Sequence, residues 1–457
     1  MISRRRFLRT LGTTAAALSA ADLDALALPA LPRAFLRQAP FRGRPTSAFT
    51  LGVQAGTMPF QPRGRRNPNP PTDWTELGRR LRQQFRDLRR HFVFEYYPWY
   101  GVNPWRHWDQ WERKPPLDIA ATSMPLLGPY DSRSAAVVEQ HARWIAESGV
   151  GAINISWWGQ GSYEDRAVPL IMDVMRDHDI HVGFHLEPYT ETRVSHYTDD
   201  VTYLLREYGE KRRWDVFLLP ERADGSVGPV FKSFRTIVPP EGRDCHGRVF
   251  AITDWVPDGT WRRQTDTVRD RVRGEFDRIT LLADVSDVQR MQTAGFDGMA
   301  IYDNYVLPNT WGTLSRACSD RDLLFSFNVN PGFDGIALRT VQPDSCYTPP
   351  KIEPPGTYDW EKALDREHAA HQSQRRIAET FHGTVALQTN PSLVDAQHGF
   401  FLVYINSFNE WHEGHQFEPM KDAANLTGDE RQYDYRNPAQ GDYRLRFIQQ
   451  SLSLLQG

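Results

Sequence analysis

The chain has 457 residues and a formal net charge of −3, with arginine scattered rather than clustered. That length supports one large domain with a well-buried core, or two smaller ones. The charge pattern excludes a nucleic-acid footprint, and the apolar runs are far too short to span a bilayer, so no membrane span is expected in the mature chain.

The first segment, Ser3-Arg4-Arg5-Arg6-Phe7-Leu8-Arg9, resembles a twin-arginine export signal. The mild apolar stretch from Leu11 to Ala21 fits an h-region better than a membrane helix. The alternative is an Arg-rich amphipathic helix. Cleavage near Ala20 or after Ala25-Leu26-Ala27 is compatible with the residues. A bacterial protein carried folded across the membrane, periplasmic or secreted, is the expectation. Residues 1–45 are therefore set apart as signal and leader, 46–90 as an N-terminal wrap and helix, and 91–457 as the main domain. Within the wrap, Pro59 to Thr72 reads as a surface linker. From Asp73 to Arg90 the residues Trp74, Leu77, Leu81, Phe85 and Leu88 fall at helical spacing and predict one amphipathic helix with a solvated Arg face.

From residue 91 the pattern alternates strand and helix. Expected strands are His91–Tyr96, Ala152–Trp157, His181–Leu186, Pro229–Ser233, Ile279–Asp284, Met299–Asp303, Leu323–Asn328 and Phe400–Ile405. They are short and continuously apolar, as parallel strands covered on both faces are. Expected helices include Ser134–Glu147, opened by Asp131 or Ser132 and closed by Gly149, then Asp165–His178 and Asp359–Glu379. Eight such units over about 350 residues predict a (β/α)₈ TIM barrel, an α/β fold with one catalytic domain and extended loops at the C-terminal face. The run Arg248–Thr253 is a ninth strand, read as an excursion from the barrel. An open doubly wound sheet is the alternative, but no Gly-rich dinucleotide turn follows any strand.

Barrel chemistry sits at the C-terminal ends of the strands. Carboxylates, amides and aromatics gather there: Glu95 to Gly101, Ser156 to Gly159, His185 to Tyr189, Tyr302 to Tyr305, Asn328 to Gly332, and Asn406 to Glu413. The last run contains Asn409-Glu410-Trp411-His412-Glu413-Gly414. Two carboxylates three residues apart at the end of a buried strand need water or partners, and suit acid/base work on a hydroxyl-rich substrate. The chain also carries 14 Trp and 17 Tyr. Clustered aromatic faces stack on sugar rings, so an oligo- or polysaccharide is the leading ligand class; the alternative is a Trp-rich core. No metal and no cofactor are expected. His412, Glu413 and His415 lack the helical His-Glu-x-x-His spacing, and Gly414 interrupts any helix there. The three cysteines, Cys245, Cys318 and Cys346, form no metal spacing and no disulfide framework, although one disulfide between two of them is compatible with an oxidising compartment.

Together Tyr97-Pro98-Trp99-Tyr100-Gly101, Ser156-Trp157-Trp158, Phe184 to Tyr189, Asn330-Pro331-Gly332-Phe333-Asp334 and Ser407 to Pro419 resemble glycoside hydrolase family 99, the retaining endo-α-mannosidases. They occur in the family's order between residue 91 and about 420. The resemblance implies the same barrel. It also implies cleavage of internal bonds in an α-mannan-like substrate through a 1,2-anhydro sugar. In that scheme Glu410 matches the general base on the sugar 2-hydroxyl and Glu413 the general acid/base, with a pKa expected to be raised. Glu187 matches a further carboxylate of the donor subsite, and Tyr302 a tyrosine lining the reacting sugar. Tyr97 and Trp157 or Trp158 are placed in the donor pocket, with His185, Tyr189, Asn409, Trp411 and His412 as further substrate-binding positions. Each has a plainer reading: Glu187 as a barrel carboxylate paired with Arg, His185 as a core histidine, and Trp105, Trp108 and Trp111 as packing in a loop over the mouth. The same chemistry on another α-linked glycan and a non-catalytic glycan-binding barrel stand as alternatives, with a monomer expected.

Two departures from the family pattern stand out. His415 occupies a position where the family has a threonine. The run Phe231-Lys232-Ser233-Phe234 lacks an acidic residue expected after the aromatic.

Overall fold

The computed structural model describes residues 73–211, 213–302, 306–334 and 356–457. The export signal, the linker before Thr72, Asp303, Asn304 and Cys346 lie outside these residues.

Eight parallel strands form the barrel: β1 Phe92–Tyr96, β2 Ala152–Trp157, β3 His181–Leu186, β4 Val230–Ser233, β5 Thr280–Ala283, β6 Gly298–Ala300, β7 Leu324–Ser326 and β8 Val403–Ile405. Each pairs with its neighbours in chain order from β1 to β7, and β8 returns to β1 through Phe92–Val403, Val93–Tyr404 and Phe94–Ile405. Between β7 and β8 the ring closes through Val329, whose N–H reaches Tyr404 O (2.9 Å) and whose carbonyl accepts from Asn406 N (2.8 Å). The expected TIM barrel is thus the observed fold, and all eight expected strands overlap observed ones. The ninth run is indeed an excursion: Val249–Ala251 pairs antiparallel with Glu241–Arg243 outside the barrel.

A helix follows every strand. They are α2 Ala135–Glu147, α3 Tyr163–Asp177, α4 Arg193–Leu204, α5 Asp258–Arg271, α6 Val288–Thr293, α7 Pro308–Ser319, α8 Ala363–Gln388 and α9 Tyr443–Gln456. Ahead of the barrel lies α1, Trp74–Gln84, capped by Asp73, whose carboxylate accepts from Thr75 N and Glu76 N (3.1 Å each). The single helix expected to Arg90 is two pieces. At Phe85 the backbone turns extended, and Asp87 accepts from Arg89 N to open a separate short turn, Leu88–His91, that feeds β1. An aspartate that bonds its own downstream backbone competes with the helix ladder. Ser134, rather than Asp131 or Ser132, is the residue before α2, and Gly149 ends that turn at φ 83°. Gly78 lets α1 sit against α9, since a Cβ there would lie 2.5 Å from Leu455 O.

Strand alternation sorts the side chains. Phe92, Phe94, Tyr96, Ile153, Ile155, Trp157, Phe184 and Phe231 pack outward into the helices. Each such apolar side chain contributes roughly 1.5–3 kcal/mol when fully buried. Inside the ring, Val93, Ala152, Val230, Leu282, Ala300, Leu324 and Leu402 close the floor. Above them lies a charged layer. Lys232 Nζ donates to Glu95 Oε1 (2.6 Å), and Glu95 Oε2 lies 3.0 Å from His185 Nδ1 and accepts from Asn154 Nδ2 at 3.3 Å. Glu95, Lys232 and His185 are all fully buried. Burial pushes the Glu95 carboxyl up, but Lys232 and His185 outweigh it and hold its pKa at about 2. Lys232 also sits 4.6 Å from the centroid of the Tyr404 ring.

Candidate active site

The segment after β8 builds the site. Its first peptide, Asn406–Ser407, is cis. The loop then folds on itself: Ser407 N donates to His415 O (3.0 Å), Phe417 N to Ser407 O (2.8 Å) and Glu418 N to Phe408 O (2.7 Å). Phe408 N donates to Glu95 O (2.8 Å), tying the loop to β1. Gly414 has φ 72°, and a Cβ there would meet Asp334 O at 2.3 Å, so only glycine fits this crossing. From the far side Arg444 of α9 donates to the carbonyls of Gly414 (2.9 Å) and Gln416 (2.8 Å).

Within this frame Glu410 and Glu413 are buried side by side. Glu410 N is held by Ser407 Oγ at 2.8 Å, and Glu410 Oε2 accepts from Glu413 N at 2.5 Å. Tyr302, at the mouth end of β6, donates its hydroxyl to Glu413 Oε2 at 2.6 Å. His415 Nε2 lies 2.9 Å from the same oxygen and 3.0 Å from the Tyr302 hydroxyl. His412 places Nδ1 3.7 Å from Glu410 Oε1, and its Nε2 is 3.0 Å from His107 O. Glu410, Glu413 and His415 each have a ligand atom within 4.8 Å of the others. That spacing alone does not make a metal centre, because the close atoms of Glu413 and His415 already serve each other and Tyr302. His412 is turned away to His107, so the group weighed in the sequence, His412 with Glu413 and His415, does not assemble.

Aromatic residues wall the site. Tyr97, Trp99, Phe234 and Tyr302 share one apolar cluster, against which the half-buried Trp158 packs. Trp99 stacks on His107 (centroids 4.5 Å, 10°) and lies over His412 (5.7 Å, 21°), and Trp111 meets His412 edge-on at 4.8 Å. Trp108 is fully buried and donates Nε1 to Tyr130 O (2.8 Å), so it packs the covering loop. Glu187, at the end of β3, accepts from Ser156 Oγ (2.7 Å), and Trp158 Nε1 donates to that same hydroxyl (3.1 Å). A carboxylate, a serine and an indole are thereby joined on the β2–β3 side of the mouth.

Four residues expected at the substrate are engaged by protein groups in this geometry. Trp157 points outward: its Nε1 donates to Asp165 Oδ1 (2.7 Å) and its ring stacks on Tyr203 (6.1 Å, 29°). Period-two alternation puts Asn154 and Ser156 inside, so Trp157 must face the helices and Trp158 alone reaches the mouth. Tyr189 likewise gives its hydroxyl to Asp200 of α4 at 2.5 Å, and its ring meets Trp157 edge-on. Asn409 spends its amide on protein: Oδ1 accepts from Tyr97 N (2.7 Å), and Nδ2 donates to Tyr97 O (3.1 Å) and the Tyr130 hydroxyl (3.2 Å). Trp411 is fully buried with Nε1 on Glu418 Oε2 (2.8 Å). Asn409 and Trp411, which flank Glu410 in the chain, thereby anchor this part of the loop to β1's end and to Glu418. His185 is buried beside Glu95, with its other ring nitrogen, Nε2, buried and unpartnered.

Sequence reasoning did not single out Lys232 as a partner, although a lysine inside an apolar strand was the available signal. It also passed over Glu418. This buried carboxylate accepts from Trp411 and from the Tyr130 hydroxyl (2.8 Å each) and lies 3.2 Å from His141 Nε2. Cys318 is free and buried, and Cys245 is disulfide-bonded.

Comparisons with known proteins agree with this architecture. Residues 87–215 match glycosyl hydrolase family 99. A glycoprotein endo-alpha-1,2-mannosidase-like protein of Danio rerio is 26% identical over 389 residues, covering 77% of this chain and 75% of that protein. The glycoprotein endo-alpha-1,2-mannosidase of Mus musculus is 26% identical over 374 residues, covering 75% and 70%. The solved family 99 endo-alpha-mannosidase of Bacteroides thetaiotaomicron superposes with a TM-score of 0.54 at 20% identity, over 80% of this chain and 97% of that one, and shares its barrel.

Proposed function

We propose that this endo-α-mannosidase-like glycoside hydrolase of family 99 is a retaining enzyme that cuts internal α-mannosidic bonds with the sugar's own 2-hydroxyl as nucleophile. The observation that carries the reading is the pair itself: Glu410 and Glu413 on one buried loop, with close atoms of both and of His415 within 4.8 Å. An ordinary retaining pair brackets the sugar, with about 5–5.5 Å between carboxyl groups on opposite sides of the bond. Two glutamates fixed side by side on one loop are poorly arranged for that. A neighbouring hydroxyl nucleophile removes the need.

In the first step Glu410 takes the 2-hydroxyl proton, the O2–C1 bond forms, and the C1–O bond to the leaving sugar breaks. Glu413 gives its proton to the departing oxygen. In the second step Glu413 takes a proton from water, water oxygen bonds to C1, the O2–C1 bond opens, and Glu410 returns its proton to O2. Two inversions at C1 give net retention. Tyr302 holds Glu413 in place, and the Glu187–Ser156–Trp158 group offers a carboxylate and an aromatic face to a neighbouring sugar. Export through the N-terminal signal would put the enzyme where external glycans are met, and among the described residues no helix is long and apolar enough to cross a membrane.

Product analysis by NMR tests this. On α-1,2-branched mannan the wild type should release an oligosaccharide whose new reducing end is first α, and Glu413→Gln should release none. A first-formed β product would reject the mechanism. Binding without turnover would favour a glycan-binding barrel, and turnover only on another α-linked glycan would keep the chemistry and change the substrate.

A further inference from the structure

We infer that His415 is a positioning residue for the acid/base: it fixes which oxygen of Glu413 carries the transferable proton. The inference rests on the proposed roles of the two glutamates for its kinetic arm and on geometry alone for the rest.

Three polar atoms converge on one point: Glu413 Oε2, the Tyr302 hydroxyl and His415 Nε2, at 2.6, 2.9 and 3.0 Å from one another. The other imidazole nitrogen, Nδ1, is buried and has no hydrogen-bond partner. The ring is held by packing, edge-on to Tyr302 (5.8 Å, 71°) and stacked on Phe333 (6.0 Å, 28°). These facts select the tautomer. A proton on Nδ1 would be a buried donor with no acceptor, and would leave the Nε2 lone pair facing a carboxylate. A proton on Nε2 faces the carboxylate and leaves only a lone pair unpaired. A doubly protonated ring would bury the unpaired Nδ1–H again. Nε2 is therefore the nitrogen whose proton faces Glu413.

Glu413 Oε2 then accepts from two donors, Tyr302 and His415. An oxygen that accepts two hydrogen bonds is a poor place for a proton, so the carboxylic proton sits on Oε1. The acid presents one defined oxygen to the leaving group. Both donors also favour the ionised carboxylate that remains once the proton has left. The surrounding charges leave this assignment in place. Glu410 lies on the same loop, and Lys232 faces the Tyr302 ring at 5.5 Å while donating to Glu95. Arg444 is spent on the Gly414 and Gln416 carbonyls, and Asp334 pairs with Arg436 at 2.7 Å.

Two variants and two readouts test this. His415→Phe keeps a flat ring against Phe333 but removes Nε2, whereas His415→Gln keeps an amide donor near the Nε2 position. Removing a donor to the charged form raises the Glu413 pKa, so the alkaline limb of kcat/KM should move up by about one unit in His415→Phe. In His415→Gln it should stay near the wild-type position. An alkaline limb that fails to move in a folded His415→Phe overturns the inference. The second readout needs no substrate: ¹⁵N spectra of labelled histidines, with the His415 signal assigned by its loss in His415→Gln. It should show the proton on Nε2, and the signal should shift in Glu413→Gln. A proton on Nδ1, or a signal indifferent to Glu413→Gln, overturns the inference whether or not mannan is the substrate.

Discussion

Two sets of the barrel's buried carboxylates are stabilised in different ways. Glu95 lies inside the ring between a lysine and a histidine, and its charge is matched by neighbours that leave it no work to do. Glu410 and Glu413 lie on a loop above it, where a backbone N–H donates to the Glu410 carboxylate and a tyrosine and a histidine meet that of Glu413. Donors of that kind fix a carboxylate in space without cancelling its charge with a full opposite charge. The first arrangement builds a floor; the second suits the proton transfers proposed above. Burial is almost the same in both sets, so burial alone does not separate structural from chemical carboxylates.

The largest expected effect lies in the upper set. Glu410→Gln and Glu413→Gln should each lower kcat/KM on an α-mannosyl substrate by about 10²–10⁴-fold, the usual contribution of a general acid or base. Their melting temperatures should stay near wild type. In the lower set the balance reverses. Glu95→Gln leaves Lys232 buried without its counter-charge and should cost about 3–5 kcal/mol in denaturant unfolding. The double variant Glu95→Gln with Lys232→Met should recover most of that loss, because it removes both charges together. Equal damage to activity and stability in both sets would break the comparison.

A smaller effect follows from His91, at the base of β1. Its Nδ1 is 2.6 Å from Phe401 O, and burial pushes its pKa from 6.5 down to about 4. The unfolded chain therefore binds a proton first as pH falls. Stability is full above about 6.5 and drains away between there and about 4. The melting temperature should fall over that window, and His91→Phe should flatten the fall. Smallest of all is Trp157→Phe, which removes the bond to Asp165 outside the ring. It should cost about 1 kcal/mol of stability and leave kcat/KM within about twofold. A large kinetic loss there would return Trp157 to the substrate.

Much of this was legible in the residues. All eight strands overlap their expected positions because buried parallel strands are short apolar runs, and such runs are hard to mistake when eight recur. The last was read too long. Phe400, Phe401 and Leu402 are buried but lie before the β8 ladder, and apolarity cannot tell a paired residue from one merely covered. Glu410, Glu413 and Tyr302 were singled out through motif and end-of-strand placement, and the structure brings them together. Trp157 and Tyr189 bond to helix residues instead, and for Trp157 alternation along β2 already pointed outward. Asn409 and Trp411 could not be separated from ligand contacts, because a group that supports a glutamate and a group that touches sugar are the same residue types. The pairing of Glu95 with Lys232 joins strands 137 positions apart and leaves no local trace.

One helix side chain does a backbone's work at the seam of the ring. Gln388 of α8 donates to the carbonyls of Phe325 (3.2 Å) and Leu402 (2.9 Å) and accepts from Leu402 N at 2.9 Å. A glutamine amide has the same donor and acceptor as a peptide unit, so α8 lends the barrel a rung where β7 and β8 stand apart. The circle is in effect a hoop with a clasp, and the clasp lies at the start of β8, at the other end of that strand from the loop that carries both glutamates. Whatever loosens it also loosens the closure of the ring, so α8 belongs to the barrel wall in the way a hinge pin belongs to a door.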